Sequence, residues 1–133
     1  MKNIFLGIFA IVILASCSTT ATTKKSGSSQ PSIAATNWVL SDNVKGITPT
    51  LIIEDGKISG NAGCNNYFGA LTSDTSTGSF VAANVGSTRK MCDSMSVETN
   101  FLQMLSKANK YVVNGNVLEL YKDGLLLMKF NKQ

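Results

Sequence analysis

The chain has 133 residues, with 12 Lys or Arg against 8 Asp or Glu, three cysteines and no histidine. That length holds one domain and a short extra segment, and the missing histidine removes the usual general base, imidazole metal ligation and Ser-His nucleophile pairs. Eleven of the basic residues are lysines scattered along the chain, with only Lys24-Lys25 and Arg89-Lys90 adjacent, which describes solvated surface charge rather than the arginine-bearing stripe a nucleic acid would need.

The first element is a leader. Met1-Lys2-Asn3 supplies a positive start, and Ile4 to Ala15 is a run without charge or strong polarity. Twelve residues are too few for a transmembrane helix but suit a signal-peptide core. The run ends in Leu14-Ala15-Ser16-Cys17, which looks like a bacterial lipobox, with cleavage after Ser16 and diacylglycerol on the Cys17 thiol. Ordinary secretion is the competing reading, and the large Leu14 three residues before the cut disfavours it. Residues 1–16 are therefore expected to be a lipoprotein signal peptide. Without Lys2 the remaining chain carries 11 basic and 8 acidic residues, a net charge of +3.

Residues 17–36 are expected to form a lipidated flexible tether. Ser18 to Thr36 contains ten Ser or Thr with Gly27 and Pro31 and shows no helical or strand period, and a coil of that length spans about 25 Å. The patterned region starts at Asn37-Trp38-Val39-Leu40 and leaves residues 37–133 to fold.

That region reads as short strands. Thr50–Glu54 and Lys57–Gly60 flank Asp55-Gly56, a two-residue type I′ hairpin signal with positive φ at both positions. Gly60 to Gly69 holds three glycines, Cys64, two more asparagines after Asn61, and two aromatics. Three glycines suit a strand that must bend, bulge or admit another backbone, so the stretch is expected to be one bent central strand running on to Leu71. Period-two alternation puts Asn65, Tyr67, Gly69 and Leu71 on one face, and if that face is the core, the Asn65 amide must be hydrogen-bonded, most simply to backbone groups freed by the glycines. A polar loop from Thr72 to Ser79 precedes the strand Phe80–Gly86.

From Ser94 to Asn109 there is no Gly or Pro, and Val97, Phe101, Leu105 and Ala108 recur at helical spacing. Asp93 or Ser94 is expected to cap this amphipathic helix, with Glu98 and Lys107 placed to suit its dipole. The pattern then returns to strands: Tyr111–Val113 and Asn116–Tyr121 about an Asn114-Gly115 turn, and Leu125–Phe130 after Asp123-Gly124. Leu126, Met128 and Phe130 share one face of the last strand and are assigned to the core.

Three cysteines are an awkward number for a secreted chain. With Cys17 lipidated, Cys64 and Cys92 remain, 28 positions apart, and an oxidising compartment lets them pair. A redox pair is the other reading, but the two lack the C-x-x-C spacing that lowers a thiol pKa at a helix start, so a structural cystine is favoured. Elsewhere, Glu54-Asp55 are adjacent carboxylates beside a turn, Ser87-Thr88-Arg89-Lys90 spells S-x-x-K without a pocket signal, and the glycine-rich stretch lacks the Lys-Ser/Thr of a phosphate loop. No catalytic residue, metal site or cofactor is expected.

Gly63-Cys64-Asn65-Asn66-Tyr67-Phe68-Gly69, then Ser87-Thr88-Arg89-Lys90-Met91-Cys92, then Glu98 with Phe101 and Leu105, resembles the META/HslJ family, and the resemblance runs from about Asn37 to Phe130. Gly63, Asn65, Tyr67 and Gly69 are the motif positions. The family's strand often ends G-x-Y where this chain has Leu71, and Met-Ala often precedes its second cysteine where this chain has Lys90-Met91. The resemblance implies an α+β domain: a strongly curved, mostly antiparallel, barrel-like sheet with one helix packed against it. It also implies envelope lipoproteins linked to heat-shock response and to resistance against novobiocin-type antibiotics, and it brings no catalytic residues. The expectation is a monomeric, non-catalytic interaction or stability module held on the periplasmic face of the outer membrane by its lipid, with an unknown envelope protein as partner and no nucleic acid. The alternative is a small periplasmic inhibitor of a secreted hydrolase of the lysozyme-inhibitor type. Host lysozymes are basic and would favour an acidic inhibitor, which this charge balance does not provide.

Overall fold

The computed structural model describes residues 29–133; the leader, Cys17 and the first part of the expected tether lie outside them. Eight strands and one helix follow in the order β1 (Thr36–Leu40), β2 (Thr50–Glu54), β3 (Lys57–Asn61), β4 (Asn66–Asp74), β5 (Ser79–Ser87), α1 (Met95–Lys107), β6 (Lys110–Asn114), β7 (Val117–Lys122) and β8 (Leu125–Lys132). Each strand pairs antiparallel with the next, and β8 returns to β1, so the sheet closes into a barrel. The expected α+β class with a barrel-like antiparallel sheet and one helix is what the chain forms.

The alternation of apolar residues along the strands explains the closure. Trp38 and Leu40, Leu51 and Ile53, Tyr67 and Leu71, Leu118 and Leu120, and Met128 and Phe130 all turn inward and are buried. Closing the sheet leaves no row of unpaired edge groups except where the ladder thins. It thins between β5 and β6, which meet at the single register pair Ser79↔Lys110. Helix α1 packs along β5 there and sends Phe101 and Leu105 into the core. The Phe101 ring lies 5.5 Å from that of Tyr67 and 6.2 Å from that of Phe130, both inclined rather than stacked, the geometry that aromatic quadrupoles favour.

Four expectations need correction. The tether does not extend to Thr36: Ile33 is 1% exposed, Tyr111 Oη donates to the Pro31 carbonyl at 3.1 Å, and the Val113 amide donates to Gln30 Oε1 at 3.0 Å. These residues cover the unpaired edge of β6, a role their Ser- and Ala-rich composition did not advertise. Second, Gly60 to Leu71 is not one bent strand. The chain reverses between Asn61 and Asn66, and β3 and β4 pair as a hairpin.

Third, Leu126 is 45% exposed. The β7–β8 register shifts between Leu120 and Tyr121, and one extra residue in a strand reverses the facing of everything beyond it. Leu127 packs on the core instead. Fourth, the two-residue turns differ in kind. Asp123-Gly124 has positive φ at both positions, as a type I′ turn needs, whereas at Asp55-Gly56 only the glycine does. The β6–β7 loop is Gly115-Asn116, one residue later than expected.

Candidate functional site

The most elaborated polar cluster sits where the β3–β4 reversal meets the start of α1. Asn61 begins the reversal: its Oδ1 accepts from the Gly63 amide at 2.8 Å, an Asx turn of the kind asparagine favours. The Ala62 amide then donates to the Asn65 carbonyl at 2.8 Å. Gly63 has φ +109, and a Cβ there would stand 2.8 Å from Val97 Cγ1 on α1. Both the backbone conformation and the helix therefore exclude a larger residue.

Beyond the glycine, Cys64 is joined to Cys92 by a disulfide with Cα atoms 6.0 Å apart. Asn65 is 1% exposed and uses its whole amide. Its Oδ1 accepts from the Lys90 amide at 2.7 Å and from Thr88 Oγ1 at 2.9 Å. Its Nδ2 donates to the Lys90 carbonyl at 3.1 Å and to Glu98 Oε2 at 2.9 Å. The Asn65 backbone amide donates to the same Glu98 oxygen at 2.9 Å. Glu98 is 5% exposed and lies in the first turn of α1, where the helix dipole favours negative charge. With two donors from Asn65 on one oxygen, the buried side chain has the hydrogen-bond partners that burial of a polar group requires.

Asn65 was expected to be buried and bonded, and it is. Its partners are different: the amide serves the segment Thr88–Lys90 and the helix, not backbone freed in its own strand. Ser94 likewise stands at the N-cap position without capping. Its Oγ donates to the Gly63 carbonyl at 3.0 Å, which ties α1 to the β3–β4 reversal. The structure thus brings Gly63, Cys64, Asn65 and Cys92 together. It places Tyr67 in the core, where Oη donates to the Thr50 carbonyl at 2.8 Å and burial pushes its phenol well above the ordinary value. Gly69 lies at the β4–β5 register irregularity between Phe68 and Ala70.

Thr88, Lys90 and Glu98 all lie in the stretches that carry the family resemblance, and the Cys64–Cys92 pairing brings the first two here, but their bonds to Asn65 were not foreseen. Glu98 did carry a signal, since its spacing of three and seven from Phe101 and Leu105 puts it on the buried face. Chemically the arrangement is a clamp: both sulfurs are bonded to each other, and the amide's hydrogen-bonding capacity is satisfied within the domain.

A second feature lies outside the barrel. A shallow groove of about 550 Å³ crosses β3 and β4, bordered by Glu54, Lys57, Ser59, Phe68, Ala70 and Asn84. Phe68 is 62% exposed. Among the described residues no group of three His, Cys, Asp or Glu is placed to hold a metal ion, and no helix is long and apolar enough to cross a membrane.

A family model described as the META domain matches residues 31–133, starting where Pro31 and Ile33 join the barrel. No curated protein matches the chain. Among solved structures, an NMR structure of a protein from Burkholderia xenovorans is similar at 22% identity and a TM-score of 0.63, over 75% of this chain and 83% of that one. A crystal structure of a DUF4847 family protein from Bacteroides vulgatus is similar at 17% identity and a TM-score of 0.55, over 74% of this chain and 92% of the other. At these identities the likeness is one of fold.

Proposed function

The chain belongs to the META domain family, and on that basis we propose that it is a non-catalytic lipoprotein of the bacterial cell envelope, an interaction or stability module that supports tolerance of heat and of novobiocin-type antibiotics. The observation that carries this reading is the Cys64–Cys92 cystine built into the β3–β4 reversal. Cystines persist in oxidising compartments and are rare where glutathione keeps thiols reduced, which agrees with the leader and the Cys17 lipobox. A domain stapled in this way and held outside the cytoplasm, with the polar groups around Asn65 bonded to one another, suits a binding role better than a reactive one. Its anchor would be the lipid on Cys17, on the periplasmic face of the outer membrane.

The test is labelling and complementation in the bacterium of origin. Labelled palmitate should enter the wild-type protein and not Cys17→Ser. A deletion strain should become sensitive to heat and novobiocin, with tolerance restored by the wild-type chain and reduced with the unanchored one. Unlabelled wild-type protein would remove the lipoprotein reading, and unchanged tolerance in the deletion strain would remove the stress role. A lysozyme activity assay with added protein separates this from the inhibitor alternative, which requires loss of enzyme activity.

A further inference from the structure

The thioethers of the described residues are placed very unequally. Met128 is 1% exposed, Met104 packs against the core from α1, and Met95 is half-buried at the start of the helix. Met91 is 90% exposed and belongs to no part of the core cluster. An apolar side chain gains by folding back onto apolar surface, and methionine has the torsional freedom to do so. Here the backbone on either side is fixed. The Lys90 amide donates to Asn65 Oδ1 and the Lys90 carbonyl accepts from Asn65 Nδ2, while Cys92 is held by its disulfide to Cys64. The clamp thus displays the Met91 sulfur to solvent.

We propose that Met91 is the oxidation site of this domain, a thioether that takes an oxygen atom from a two-electron oxidant of the hypochlorous acid class and is returned by a thiol-dependent reductase. In the forward step the sulfur is oxidised to a sulfoxide. The new S–O bond takes its oxygen from the oxidant or from water, the chlorine is reduced to chloride, and one proton is released. In the return step two thiols of a methionine sulfoxide reductase are oxidised to a disulfide and the oxygen leaves as water. Both steps need a sulfur within reach. Oxidation turns an apolar side chain polar, and at Met128 that would bury a polar group without a partner. At Met91 the sulfoxide faces water, and the bonds of the clamp, made by the Lys90 backbone and the Asn65 amide, stay in place. Met128 meets an oxidant only when the domain opens. Met91 therefore consumes oxidant in a form that the barrel tolerates and an enzyme can reverse. The inference is independent of the lipid at Cys17.

Titration of the full chain with hypochlorous acid tests it, with mass spectrometry of the digest reading sulfoxide separately at Met91, Met95, Met104 and Met128. At the lowest dose that gives any sulfoxide, Met91 should carry at least about ten times that of Met104 or Met128, and Tm should be unchanged. Met91→Leu keeps an apolar side chain of similar size but accepts no oxygen. In that variant, sulfoxide at Met104 and Met128 and the fall in Tm should begin at a lower dose than in the wild-type chain. The two epimer-specific methionine sulfoxide reductases should together return Met91 to the thioether in the native protein. The proposal falls if Met95, Met104 or Met128 takes oxygen first, if sulfoxide at Met91 lowers Tm, if Met91→Leu leaves the dose response unchanged, or if the reductases leave the native sulfoxide in place.

Discussion

The β6–β7–β8 hairpins and the clamp around Asn65 stabilise the same barrel by opposite means. In β6 and β7, paired residues lie three to eleven positions apart in the chain, from Asn114↔Val117 out to Lys110↔Tyr121. Those contacts form locally, with little loop-closure entropy to overcome. The clamp joins Asn65 to Thr88, Lys90 and Glu98, residues 23, 25 and 33 positions away, and Cys64 to Cys92 at 28. Each of these contacts closes a long loop and does so with a single polar group or a single covalent bond. The hairpins spread their stability over many replaceable pairs, whereas the clamp concentrates it in a few that have no substitute.

The strongest test of that contrast lies at the sulfurs. Replacing both Cys64 and Cys92 with Ala releases a loop of about 28 residues and should destabilise the domain by about 3.5 kcal/mol in the chain-entropy account, a large share of the roughly 5–15 kcal/mol available to a domain of this size. Urea unfolding of the full chain measures it. A loss under about 1 kcal/mol would mean that the hydrogen bonds alone hold the segment.

Asn65→Ala comes next. It leaves the buried Glu98 carboxylate and the part-buried Lys90 amide with fewer partners, at about 1–3 kcal/mol for a fully stranded group, so a net loss of about 2 kcal/mol and a fall in Tm of roughly 10 °C are expected. Because both changes act on the segment 88–92, their effects should not add. An unchanged Tm together with lost stress tolerance would instead make Asn65 a contact to a partner.

The smallest effect belongs to the hairpins. Leu126→Ser should shift stability by no more than about 0.5 kcal/mol, as exposed substitutions do, even though the alternation of β8 assigns Leu126 to the core. A loss as large as that of Asn65→Ala would place Leu126 inside and remove the bulge from the β7–β8 pair.

Tyr121, in the same hairpin, behaves unlike an exposed phenol. Its Oη donates to Glu119 Oε2 at 2.6 Å. Desolvation first, then that bond and the carboxylate charge, push its pKa up to about 12. Since the folded value lies above the unfolded one, the protonated phenol contributes stability below about pH 10 and loses it as the pH rises toward 12.

The features legible in the chain are those that rest on local chemistry. The Asp55-Gly56 and Asp123-Gly124 loops, the helix face of Phe101, Leu105 and Ala108, and the inward side of Tyr67 and Leu71 all follow from periods and turn propensities that need only near neighbours. The family resemblance rested on residues such as Gly63, Cys64 and Asn65, whose types were legible before their partners were. What those residues do was settled only by the folded arrangement. The bulge opposite Tyr121 turns Leu126 outward, and nothing in the alternation of β8 announces an extra residue in the ladder. Gln30 and Ile33 join the barrel because β5 and β6 separate there, a gap that exists only once eight strands have closed. Asn65 bonds Lys90 and Glu98 because the reversal at Gly63 swings it toward α1. Partners 25 and 33 positions distant leave no periodic trace in the chain, since what selects them is the unmet hydrogen-bonding demand of groups buried together by the fold.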